Sequence, residues 1–91
     1  MKKTIPLTPL SCLACGCRGK VCLLPEDNAA RAALMRLGLV CGTSVESVFK
    51  APGGDPGAYY FRNTLIALRN DVTSSIQVCP IEPEGDHFEK N

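Results

Sequence analysis

The chain has 91 residues, of which 45% are hydrophobic and 21% charged, and its net charge is +1. A chain this short forms one domain with a modest core, because it buries only about 60–65% of the surface its unfolded form exposes. Near-neutral charge gives no electrostatic case for nucleic acid, and no apolar run approaches the ~20 residues a transmembrane helix needs, which argues against direct membrane insertion.

The start, Met1-Lys2-Lys3-Thr4-Ile5-Pro6-Leu7, is charged like a signal peptide. Pro6 and Pro9 break the apolar segment that such a peptide requires, so the chain reads as cytoplasmic. In Thr8 to Gly19, Ser11 is placed to cap a single helical turn, with Leu10 and Leu13 spaced to face inward together. Gly16 and Gly19 predict a turn into Lys20–Leu24, an apolar run of strand length that Pro25 stops.

A helix follows. Asp27 or Asn28 suits its N-cap, and Glu26 and Asp27 add negative charge at its positive end. Ala30, Ala33, Leu34 and Leu37 recur at helical spacing as one apolar stripe, fitted to close packing across the mouth of a barrel. Gly38 is where a C′ residue takes the left-handed conformation, and Leu39 is the apolar residue that packs back on the last turn.

Thr43 to Ala51 reads as a strand with imperfect alternation, since Val48 and Phe49 are adjacent. Pro52-Gly53-Gly54-Asp55-Pro56-Gly57 is a hairpin loop. No helix follows it and the Walker spacing is absent, which removes a phosphate-cradle reading. Ala58–Arg62 and Leu65–Arg69 are strands joined by a tight turn at Asn63-Thr64. Asn70-Asp71 starts one helical turn through Ser74, and Ser75–Cys79 closes the sheet. The fold class is therefore mostly β, a small barrel of about five strands over residues 1–79 with one α-helix between the first and second strands. Residues 80–91, with two prolines and several acids, read as a mobile acidic tail.

The order of elements and the residues that build it resemble the FeoA family, ferrous iron transport protein A. The resemblance rests on Thr8-Pro9-Leu10-Ser11, Leu13, Gly16, Gly19 and Val21. It continues through Leu37-Gly38-Leu39, Gly42-Thr43, Val45 and Val48, then Lys50-Ala51-Pro52-x-Gly54-Asp55-Pro56 and the hairpin from Arg62 to Arg69 with Ala67-Leu68. It runs from Thr8 to Val78 without a gap. It implies an SH3-like barrel and a cytoplasmic, non-enzymatic accessory of FeoB, the membrane ferrous-iron transporter. It carries over no catalytic residue. Similar modules end metal-dependent repressors, but no DNA-binding helices precede the barrel here.

Six cysteines are unusual in so short a chain. Without a signal peptide they point to metal binding, redox chemistry or plain burial. Cys12, Cys15, Cys17 and Cys22 put four soft ligands within eleven residues, chemistry suited to zinc, ferrous iron or an iron–sulfur cluster. All depart from the family pattern, as does Cys41, where a proline is usual. Cys79 is a candidate fourth ligand if the last strand lies near the first. For Cys22, Cys41 and Cys79 the preferred reading is burial as small hydrophobes.

Two functions remain. One is an adaptor that binds an FeoB-type transporter through apolar groups at the helix end and following loop, Met35, Leu39 and Val40. The other is a thiol-based metal carrier or redox sensor on the same barrel. Weak self-association stays open. Catalysis is disfavoured: the one histidine, His87, lies in the tail, and no paired carboxylates share an apolar setting.

Overall fold

The structure, a computed structural model, describes residues 7–81. Six strands form one antiparallel sheet: β1 (Thr8–Pro9), β2 (Arg18–Leu23), β3 (Ser44–Lys50), β4 (Gly57–Phe61), β5 (Thr64–Leu68) and β6 (Gln77–Ile81). They lie in the order β1-β6-β2-β3-β4-β5. Helix α1 (Asn28–Leu37) stands between β2 and β3, and a single turn, α2 (Asn70–Thr73), between β5 and β6. The additional strand is the two-residue β1, where Thr8 pairs with Val78. β6 runs through Pro80 to Ile81, so it takes in two residues the sequence reading gives to the tail. The rest of that segment, including His87, lies outside the described residues.

Alternation decides the two faces of the sheet. Val21, Val45, Tyr59, Phe61 and Val78 point inward and are buried, joined by Leu10, Leu13, Leu34, Leu39 and Ile76. Each aliphatic or aromatic side chain so buried contributes about 1.5–3 kcal/mol. The adjacent Val48 and Phe49 have a structural cause: the β3–β4 register shifts between Ser47 and Phe49, a bulge that leaves both apolar side chains exposed.

The β4–β5 turn sits one residue earlier than expected. Arg62 and Asn63 both have positive φ, 52° and 62°, as a two-residue hairpin turn demands. Full closure of the barrel by strand pairing is not reached among the described residues, where β1 and β5 are the two ends of the sheet. The α2 turn packs on the 3-10 turn Leu10–Cys12 in the gap between them. Asp55 accepts from the Asn70 N–H at 2.9 Å and Gly54 O from the Asn70 side chain at 3.1 Å. The Pro-Gly-rich loop thus supplies the cap that the four-residue α2 lacks in its own sequence.

Candidate functional site

Helix α1 begins where Asp27 accepts from the Ala30 N–H at 2.9 Å, which selects Asp27 over Asn28 as the cap. It ends at Gly38, whose φ of 97° is left-handed. Leu39 N–H then reaches back to Leu34 O at 3.0 Å. The expected four-residue stripe does not hold. Leu34 is buried and Ala30 half-buried, while Ala33 and Leu37 are exposed. The glycine stop turns the chain inward, and Leu39, just beyond the helix, drops into the core at 0% exposure.

This corner is closely tied. The Thr43 hydroxyl accepts from Val40 N–H at 3.1 Å and donates to Gly38 O at 3.2 Å. Gly42, with φ of 95°, donates its N–H to Val21 O at 2.7 Å, and Val21 N–H donates to Thr43 O at 2.9 Å. A Cβ built on Gly38 would stand 2.5 Å from Cδ of Arg62, so the Arg62 stem lies directly over the helix end. The Gly-Leu-x-x-Gly-Thr pattern is thus a helix stop, a core residue and a hydroxyl clasp.

Of the three candidate docking residues, Leu39 must be withdrawn, because a fully buried side chain offers no surface. Met35 is 50% exposed and Val40 half-buried on the rim of a surface groove of about 450 Å³ with Thr43, Ser44 and Arg62. Leu37, 44% exposed, lies on the opposite flank of α1 from Met35, two residues along the helix. The sequence reading missed it by assigning it to the core stripe.

The thiols fall into separate places. Cys12, Cys15 and Cys17 are exposed on the loop before β2. That loop is pinned: Gly16 N–H donates to Ser47 O at 2.6 Å, Ser47 N–H to Cys17 O at 2.9 Å, and Cys17 N–H to Ala14 O at 3.0 Å. Lys50 reaches the same loop, its Nζ donating to Ser11 O at 2.8 Å and Leu13 O at 3.2 Å. Cys22 stands four residues beyond Arg18 along β2, roughly 13 Å away at strand rise. Zinc holds thiolate sulfurs at about 2.3 Å, and Cys22, inside β2 with its Sγ turned to Lys20 O, is not gathered with the loop thiols. Cys79 faces Lys20 across the β2–β6 pair. Among the described residues no three His, Cys, Asp or Glu side chains gather as a metal site.

Burial of the remaining thiols is not what the structure shows. Cys41 is exposed, and Cys22 and Cys79 are half-buried. Cys41 Sγ donates to Cys22 O at 3.3 Å and Cys22 Sγ to Lys20 O at 3.6 Å. Both spend their weak donors on backbone where β2 meets the Gly38–Thr43 corner. Beside the first loop, the Tyr59 phenol is raised from its ordinary value by burial and by the Cys15, Asp55 and Cys12 side chains. The Thr73 hydroxyl pulls the other way without making a well-formed hydrogen bond to it.

The FeoA domain model matches residues 8–80, which takes in the corner, the pinned loop and every strand but for the last residue of β6. The chain belongs to the FeoA family. No curated relative matches it. Among solved structures, FeoA of Chlorobium tepidum is 33% identical over 86% of this chain and 75% of its own, with a TM-score of 0.77. A FeoA-like protein of Clostridium acetobutylicum is 27% identical over 90% of this chain and 94% of its own, with a TM-score of 0.79. FeoA of Stenotrophomonas maltophilia, solved with zinc and described as a prokaryotic SH3 domain protein, is 29% identical over 78% of this chain and 88% of its own, with a TM-score of 0.68. The fold of this FeoA domain is accordingly the SH3-like one, and no helix among its described residues is long and apolar enough to cross a membrane.

Proposed function

We propose that this FeoA domain is a non-enzymatic accessory of ferrous iron uptake, working in the cytoplasm by binding and modulating an FeoB-type membrane transporter. The observation that carries this reading is the FeoA match over residues 8–80. The Stenotrophomonas maltophilia relative, described as a candidate ferrous iron transport activating factor, supports it. The corner from Met35 to Thr43 suits docking: its backbone is held by the Thr43 clasp, and it exposes Met35 and Leu37 on the two flanks of the helix end beside the edge of Val40. A rigid surface loses little entropy on association, so a small apolar patch there is worth more than the same patch on a free loop. The test is ferrous-iron uptake in cells that carry the transporter with and without this chain. Uptake should fall when the chain is removed and recover with the wild-type chain; equal uptake in both would end the proposal.

A second reading is favoured by one observation, the three exposed thiols on a single pinned loop. On that reading Cys12, Cys15 and Cys17 bind zinc, ferrous iron or an iron–sulfur cluster, with Cys22 on β2 a further candidate only if the loop swings toward it. The Stenotrophomonas relative was solved with zinc. The reading requires the loop to turn its thiols toward one point. It predicts metal that stays with the protein through anaerobic purification and is lost when these three cysteines become serine.

A further inference from the structure

The outward face of β2, β3 and β4 carries chemistry that neither reading uses. Register places Ile81, Arg18, Glu46, Tyr60 and Leu65 in one outward row across β6, β2, β3, β4 and β5. The next row holds Cys79, Lys20 and Ser44, and it reaches the hairpin turn at Arg62. Arg18, Lys20 and Arg62 are all exposed, and Glu46 is the single acid among them. Two adjoining hollows, of about 220 Å³ and about 450 Å³, share Ser44 and Arg62 as a common wall.

Arg62 is held in place. Its backbone takes a left-handed φ of 52°, uncommon for a residue with a side chain, and its stem crosses the bare Gly38 at the end of α1. The last carbonyls of a helix favour a cation there. The groove therefore presents Arg62, fixed at its backbone by the hairpin turn, and Arg18 on β2, with Tyr60 and Val40 at its rim, and Lys20 stands beside it across from Ser44.

We propose that this groove docks an extended, acidic segment of a partner protein. Arg18 and Lys20 stand two residues apart on β2, roughly 7 Å, the repeat that separates alternate side chains of an extended peptide. Carboxylates two residues apart meet Arg18 and Lys20, Arg18 holding its own in a two-pronged bond, while Arg62, two strands across from Lys20 and about 10 Å to the side, adds its charge from the flank of the segment. The face opposes a second copy of this chain, because self-pairing would set the three cations against their own kind. The proposal does not rest on the iron-transport reading, since it follows from the charge and register of this face alone.

The test uses the full chain and a synthetic peptide, acetyl-Glu-Val-Glu-Leu-Glu-Val-Gly-amide, with a second peptide in which every Glu is Gln. Amide shifts should move at Arg18, Ser44 and Arg62, and the Gln peptide should bind at least about tenfold more weakly, since hydrogen bonds to charged groups carry that much. Arg18→Gln and Arg62→Gln should each weaken binding several-fold and flatten its salt dependence. Glu46→Gln should tighten it about threefold by removing the one opposing charge, and Arg69→Gln, beyond the far end of β5, should leave it unchanged. Equal binding of both peptides would overturn the proposal. So would weaker binding by Glu46→Gln, shifts confined to another face, or shifts that grow with protein concentration before any peptide is added, which would mean a second copy fills the groove.

Discussion

Replacing Thr43 by valine removes one oxygen and keeps the side chain's shape. That oxygen accepts from Val40 N–H and donates to Gly38 O, both in partly buried surroundings. Each such bond contributes about 1 kcal/mol net, and losing the shared atom leaves a donor and an acceptor without their protein partner, so the cost is about 2 kcal/mol. A chain of this length has a urea m-value of about 1 kcal/mol per molar, so the midpoint should fall by roughly 2 M with m unchanged. Thr43→Ser keeps the oxygen and should recover most of the loss. Hydrogen exchange gives the local reading: the Val40 amide should lose protection in the valine variant before the sheet does. A midpoint shift under half a molar, or a serine variant as unstable as the valine one, would refute the clasp.

Gly38→Ala forces a side chain into a left-handed residue and into the Arg62 stem, and should cost about 1–2 kcal/mol in urea unfolding. It should also weaken the acidic peptide by displacing Arg62. Tyr59→Phe should hold or raise the melting temperature near neutral pH, because the phenol is buried without a partner among the described residues. Its pH dependence has a fixed sign. The folded phenol titrates above 10.0, so the unfolded chain releases its proton first, and wild-type stability falls as pH rises past that value while the phenylalanine variant lacks this loss. Replacing Cys12, Cys15 and Cys17 by serine should change stability by less than about 0.5 kcal/mol per site, since all three are exposed. Metal content measured beside it separates the two functional readings.

The sequence carried the corner well because its signals are single-residue and chemical. A glycine after a helical run and an apolar residue after the glycine have few other uses, and Gly38 and Leu39 do what that pattern implies. The Leu10 and Leu13 pair was legible for the same reason, being spaced to face one way. The helix stripe misled because periodicity shows which residues share a face, not how much of that face is covered. Only Leu34 is buried along α1, and the core takes Leu39 from outside the helix. The cysteines show a different limit. Four thiols close in sequence look like one ligand set, but Cys22 lies on an extended strand that carries it away at each residue, and backbone bonds from Gly16, Cys17 and Ser47 fix the rest. The basic face was not legible at all, since Arg18, Lys20 and Arg62 come together only through the register of β2, β3 and β4.

Direct capture tests the proposed docking of this FeoA domain on a ferrous-iron transporter. The tagged full chain is incubated with detergent-solubilised membranes holding the FeoB-type transporter, beside an unrelated small SH3-like barrel as control. Transporter should be enriched on the wild-type chain and reduced on a Met35→Asp, Leu37→Asp chain that stays folded, both positions being exposed. Enrichment no greater than on the control barrel would contradict it.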